Sequence, residues 1–178
     1  TAKLATVLGQ FDGGSSANES EPNNSIGNAN NVSATFGSVN TNLYQLSLTG
    51  NMSTTTDEDY YTIGTLQAGD IISIAQMGTG AGAGTLGDPF VYLYRGGSTA
   101  IITSDDDNGP STDSLIYRYT VTTTDTYYIR AEVYNNSASG TYRLGVLLEN
   151  TSTAPTTGGT IFSENEAAAN NTKATAQN

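Results

Sequence analysis

The sequence contains no cysteine, no histidine and no tryptophan. Without cysteine there is no disulfide, no thiolate nucleophile and no thiolate-held metal. Without histidine, Ser-His-Asp triads, imidazole acid–base chemistry and His-ligated zinc are all excluded. Lysine occurs only as Lys3 and Lys173, near the two ends, so none is placed to activate a hydroxyl nucleophile. Charged residues make up only 13% of the chain, against about a quarter in an average soluble domain. Those charges are one-sided, with six basic residues against 17 acidic and a formal net charge of −11. Arg95, Arg118, Arg130 and Arg143 fall on separate strand-like segments. A chain without clustered cations has nothing to displace phosphate counterions, and its charge opposes an anionic membrane surface. Nucleic acid is therefore not expected as a partner. Membrane insertion is not expected either, because no apolar run approaches the ~20 residues of a spanning helix. Thr1 in place of an initiator Met is expected of a processed chain or an excised fragment.

Ser, Thr, Asn and Gly are abundant instead, and 11 residues are Tyr. That mixture suits strands with hydroxyl-rich faces separated by frequent turns. Strands are predicted near Leu43–Leu48, Tyr60–Thr65, Asp70–Gln76, Phe90–Arg95, Ala100–Ser104, Ser114–Thr122, Thr126–Tyr134 and Thr141–Leu148. In two of them the alternation is clean. Leu115, Tyr117, Tyr119 and Val121 form one apolar series, and Tyr127, Ile129, Ala131 and Val133 another, leaving Arg130 and Glu132 outside. One member of each pair Tyr60/Tyr61 and Tyr127/Tyr128 is expected in the core, and Tyr92, Tyr94, Tyr117 and Tyr119 also fit core positions.

The expectation is an all-β protein: a single antiparallel, jelly-roll-like β-sandwich over residues 19–149 with extended N- and C-terminal segments. Residues 1–18 read as a strand over Lys3–Phe11 and a Gly/Ser/Asn linker from Asp12 to Asn18. Residues 150–178 read as a Thr/Pro/Gly linker followed by a partial repeat of the domain opening, where Glu164, Glu166 and Asn170-Asn171-Thr172 echo Glu19 to Ser25. Acceptor sequons for N-glycosylation begin at Asn18, Asn23, Asn31, Asn51, Asn135, Asn150 and Asn170.

Calcium takes six to eight oxygen ligands from carboxylates, amides and carbonyls. Glu19, Glu21, Asn23 and Asn24 offer four such side chains within six residues. Asp57 and Asp59 add two more if their turn folds beside the opening segment. Asp105, Asp106 and Asp107, with Asp113 nearby, form a possible second metal site; their spacing and the lack of a distal Glu exclude an EF-hand.

Several motifs occur in a recognisable order. They are Glu21-Pro22-Asn23-Asn24-Ser25, Asp57-Glu58-Asp59-Tyr60-Tyr61, Leu66-Gln67-Ala68-Gly69-Asp70, Asp88-Pro89-Phe90-Val91-Tyr92-Leu93-Tyr94, Asp105-Asp106-Asp107 with Asp113-Ser114, Thr126-Tyr127-Tyr128-Ile129 and Gly140-Thr141-Tyr142-Arg143-Leu144. Together they resemble the bacterial pre-peptidase C-terminal domain. Two features depart from the family: Asp125 stands where a Gly is usual, and the Gly78–Gly87 loop is long. The resemblance implies a jelly-roll-like sandwich appended to secreted enzymes, with calcium ligands at Glu19, Glu21, Asn23 and Asn24 and, in some members, binding to insoluble substrate.

No catalytic residue is expected. One functional class is an extracellular subunit that assembles with copies of itself into a filament or surface layer, calcium-stabilised, with Leu4, Ala5, Thr6, Val7 and Leu8 adding as a strand to a neighbour's sheet edge. The other is a calcium-binding targeting or spacer module of a larger exoprotein, with an extracellular polymer or protein as its target. Both place the chain outside the cell or on its surface.

Overall fold

A computed structural model describes residues 15–98 and 100–150. The strands are β1 (Ser15–Asn18), β2 (Asn30–Asn31), β3 (Gly37–Asn40), β4 (Leu43–Met52), β5 (Asp59–Leu66), β6 (Ile71–Met77), β7 (Pro89–Arg95), β8 (Ile101–Asp105), β9 (Ser114–Thr120), β10 (Asp125–Val133) and β11 (Gly140–Glu149). They form two sheets. One runs β1-β4-β11-β6-β9 with β3 also paired to β4, and the other runs β2-β5-β10-β7-β8. The architecture is the expected all-β sandwich. Its long strands pair antiparallel, whereas the short β1 and β2 add in parallel to β4 and β5. Among the described residues the helical segments are three short 3₁₀ turns, and no helix is long and apolar enough to cross a membrane.

The core lies between the sheets. Leu46, Leu48, Ile72, Ile74, Leu144 and Val146 from one sheet meet Tyr61, Ile63, Val91, Leu93, Tyr127 and Ile129 from the other. Each such side chain, taken from water, contributes ~1.5–3 kcal/mol before entropy is counted. Tyr61 and Tyr127 are the core members of their pairs, as the alternation requires.

Three expectations are corrected. Ser15–Asn18 is a strand rather than the end of a linker, because hydrogen bonding to β4 satisfies its backbone without any apolar side-chain signal. Tyr92 faces outward with Phe90, since Val91 and Leu93 of the same strand fill the core, whereas Tyr94 is buried as expected, on the side of the sheet away from the main core cluster. The apolar series along β9 also breaks. Arg118 adopts a positive φ of 53°, and the register against β6 shifts between Ile72 and Ile74. The bulge turns Tyr117 out, 46% exposed, while Ile116 and Tyr119 pack on the core. The strand expected over residues 4–8 and the echo at 163–178 lie outside the described residues.

Candidate metal centre

β5 begins at Asp59, whose side chain is fully buried. The opening segment reaches it in two steps. Glu19 follows β1 directly, and its backbone N–H donates to the Thr49 carbonyl at 3.0 Å, so the parallel pairing continues one residue past the strand. Further along, the Tyr60 N–H donates to the Asn23 carbonyl at 3.0 Å and holds residues 21–24 against the start of β5. Glu19, Glu21 and Asp59 thereby offer carboxylate oxygens that all lie within 4.8 Å of one another. Two of the three belong to the opening segment and one to the acidic turn, so that turn does fold beside the opening.

Two tyrosines back the centre. The Tyr142 hydroxyl donates to Asp59 Oδ2 at 2.6 Å and lies 2.6 Å from the Tyr61 hydroxyl. Tyr61 in turn donates to Glu19 Oε2 at 3.3 Å, and the Asn51 N–H donates to Glu19 Oε1 at 2.8 Å. Tyr142 reaches Asp59 because Gly50, its partner across β4 and β11, has no side chain. A Cβ at Gly50 would collide with the Tyr142 ring.

The electrostatics suit a cation. Burial, followed by the neighbouring Glu19 carboxyl, pushes the Asp59 carboxyl up to about 8, against a partial opposing effect of the Tyr142 hydroxyl. Burial also holds the Tyr61 and Tyr142 hydroxyls well above their usual range, so both stay neutral donors. The amide oxygens of Asn23 and Asn24 face other acceptors: that of Asn23 lies 3.0 Å from Asp59 Oδ1 and that of Asn24 3.2 Å from the Glu58 carbonyl. Such a gathering of oxygens is the donor set a hard divalent cation requires, and with no cation the amides can turn over and donate to the same atoms. The residues present therefore fit calcium: three carboxylates and two amides at one place.

The remaining expected ligand behaves differently. Asp57 Oδ2 accepts from the Ser53 N–H and hydroxyl, both at 2.7 Å, and Oδ1 accepts from the Glu58 N–H at 3.2 Å. It closes its own turn, and reaches the centre only as a nearby charge that raises Asp59.

The second acidic region splits in the same way. Asp105 Oδ1 accepts from the Leu115 N–H at 2.6 Å and the Asn108 N–H at 3.1 Å. Asp113 accepts from the Gly78 and Ala81 N–H groups at 2.9 and 2.7 Å and so clamps the Gly-rich loop. Asp106 and Asp107 instead gather with Asp88. Burial, then mutual repulsion with Asp107, raises both Asp88 and Asp106. Asp88 was not among the expected ligands. It stands one residue before β7, and β8, paired with β7, ends at Asp105, so strand pairing delivers the carboxylates to one place.

Glycan acceptance is divided by burial. Asn18, Asn31, Asn51 and Asn135 are exposed, Asn23 and Asn150 are buried, and Asn170 lies outside the described residues.

The outward side of the five-stranded sheet carries a row of rings, of which Tyr60 and Tyr94 are buried and Phe90, Tyr92 and Tyr134 reach solvent. Tyr60 and Tyr94 lie 6.1 Å apart, Tyr94 and Tyr92 6.2 Å, Tyr92 and Phe90 4.5 Å, and Phe90 and Tyr134 5.8 Å between centroids. The Arg130 guanidinium sits 4.1 Å from the Tyr92 ring centre and pairs at 3.1 Å with both Glu58 and Glu132. Tyr92 donates to Glu132 at 2.6 Å.

No protein-family model matches the chain, and no curated protein matches it. Among solved structures it is similar to the pre-peptidase C-terminal domain of a collagenase from Bacillus anthracis, at 19% identity and a TM-score of 0.43, over 72% of this chain and 99% of that one. It is also similar to PliG of Aeromonas hydrophila, a periplasmic inhibitor of g-type lysozyme, at 14% identity and a TM-score of 0.41, over 61% of this chain and 85% of that one. A third is the carbohydrate-binding module CBM36 in complex with calcium and xylotriose, at 15% identity and a TM-score of 0.34, over 62% of this chain and 89% of that one. The first of these bears the name of the family that the sequence motifs resemble.

Proposed function

We propose that the chain is an extracellular, non-catalytic binding module. Calcium at Glu19, Glu21, Asn23, Asn24 and Asp59 ties its opening segment to the sandwich, and its aromatic outer face engages an extracellular polymer or protein. The observation that carries this reading is the meeting of three carboxylates from two distant segments around the buried Asp59. Calcium held there would neutralise those carboxylates. The chain's own part is to gather them, to donate the Tyr142 hydroxyl to Asp59 Oδ2, and to fix residues 19–24 by backbone pairing. The second carboxylate group, at Asp88, Asp106 and Asp107, belongs to this reading only as a weaker cation site.

The outer face supports the binding role. Tyr, Phe and Arg supply large contact areas at small entropic cost and dominate binding hot spots. Arg130 is already oriented by Glu58 and Glu132, so little ordering remains when a ligand arrives.

Filament assembly through Leu4–Leu8 requires an open sheet edge. Among the described strands, β4 already pairs on its outer side with β1 and β3, whereas β9 pairs only with β6 and β8 only with β7. Self-assembly would therefore use β9 or β8.

Sedimentation of the full chain with insoluble polysaccharides and with collagen fibres, in calcium and in chelator, tests the reading. Retention on one polymer class, reduced at least tenfold by Phe90→Ala with Tyr134→Ala, is the expected result. Absence of retention together with regular filaments under negative stain would instead establish the assembly reading.

A further inference from the structure

In a two-layer sandwich the outward face of each sheet is wet, and its side chains are correspondingly polar and exposed. The six-stranded sheet breaks this rule. Strand registers place Gln45, Leu147, Ser73, Ala75, Met77 and Leu115 on its outward side, opposite in phase to Leu46, Val146, Ile74 and Ile116 of the core. Ala75, Met77, Leu115 and Leu147 form an apolar cluster of their own, exposed by only 0, 1, 3 and 5%. Gln45 is 3% exposed, yet its amide nitrogen has no hydrogen-bond partner. The described apolar neighbours of the cluster are Leu43 and Ala83. Arg118 reaches from β9 past Ser73 to pair with Glu149 on β11. An open groove of about 450 Å³ runs onto this face, lined by Asn42, Leu43, Arg118, Leu147, Glu149 and Asn150 among others.

We propose that this face seats the chain's own N-terminal segment, residues 4–11, as a third layer over the six-stranded sheet. The chain geometry selects that occupant. β1 starts at Ser15, which pairs with Leu46 near the beginning of β4, and Glu149 at the end of β11 pairs with Leu43. β1 therefore starts at the end of the sheet where the groove lies. Phe11 is four residues before Ser15, a reach of ~13 Å at ~3.3 Å per residue. Leu147 stands two strands in from β1, ~10 Å at the usual strand spacing. The segment carries Leu4, Val7, Leu8 and Phe11, four large apolar side chains within eight residues. The 28 residues after Asn150 carry only Ile161 and Phe162. The free amide of Gln45 supplies a donor for a backbone carbonyl of the incoming segment.

The test uses the full chain with Val7→Asp and Leu8→Asp and a control with Ile161→Asp and Phe162→Asp. Far-UV circular dichroism, fluorescence of a dye that lights up on apolar surface, and light scattering are recorded for each. The proposal expects a monomeric full chain, a several-fold rise in dye emission with a lower melting temperature for the N-terminal variant, and neither change in the control. A C-terminal response in place of the N-terminal one overturns it, as does no response in either. A parent dimer that the N-terminal substitutions dissociate also overturns it, because the segment would then be exchanged between copies.

Discussion

Asp59 has no contact with solvent and shares its surroundings with Glu19 and Glu21, so its ionisation is linked to whatever neutralises it. Its folded-state value of about 8 lies above the ordinary carboxylate range, with burial as the first cause. The stability this group contributes is complete below its unfolded pKa of ~3.9, and is lost as pH rises toward the folded value. In chelator, the melting temperature is predicted to fall between pH 5 and pH 8, and Asp59→Asn to remove that part of the slope. The same substitution should abolish any response to calcium. A chelated parent and an Asp59→Asn variant with parallel pH profiles would show that Asp59 is not the linked group. Gly50→Ala acts on the same centre from behind, because the added Cβ displaces the Tyr142 ring. Overpacking of this kind costs ~1–3 kcal/mol, and here it should weaken calcium binding along with stability. Thermal melts and calorimetry on one preparation check both effects.

Asp113 belongs to the scale of elements, since its two oxygens hold the loop from β6 to β7 by the Gly78 and Ala81 N–H groups. Asp113→Ala leaves the buried Gly78 donor unpaired and releases the exposed Ala81 N–H to water, and is predicted to cost ~1–3 kcal/mol while leaving calcium affinity unchanged. A lost calcium response with intact stability would contradict this. The eight longer strands were legible in the sequence because period-two apolar patterns and turn residues bracket them. β1, β2 and β3 were not, since two to four polar residues held by backbone pairing leave no side-chain pattern. The phase of β9 was misread for a local reason: a bulge at Arg118 reverses which residues face the core, and alternation alone carries no mark of it. The parity of Tyr60/Tyr61 and Tyr127/Tyr128 was readable, as was the burial of Tyr94, whereas the outward turn of Tyr92 was not, because β7 has large apolar side chains on both faces. At the candidate metal centre, Glu19, Glu21 and Asp59 could be chosen by residue type and family resemblance. That Asp57 closes a turn, and that Asp88 joins Asp106 and Asp107, depends on pairings that only the folded chain displays.

At the scale of the whole molecule, one feature distinguishes this chain from a simple two-layer sandwich. A polar lead-in segment is held to β5 by the Tyr60 N–H, and brings together carboxylates that repel each other unless protons or a cation intervene. The net charge of −11 adds to that repulsion and strengthens the expected gain from a divalent cation. Magnesium, smaller and reluctant to lose its water, should stabilise much less than calcium. The outer aromatic face and the candidate cation centre share Tyr60, which serves the centre only through its backbone N–H and the face through its ring, so Arg130→Ala is predicted to weaken polymer retention without changing the calcium response. Loss of both in that variant would mean that the two regions are coupled.

The most direct measurement is a calcium titration of the full chain and of its Asp59→Asn variant, by calorimetry and by thermal melts at pH 7.5. Saturating binding at one or two sites is predicted for the parent, with a melting temperature raised by ~5–10 °C at a hundredfold excess over Kd, and with the main site missing from the variant. Identical melting of the parent in calcium and in chelator, with no heat of binding, would contradict the assignment of Glu19, Glu21 and Asp59 as a calcium centre.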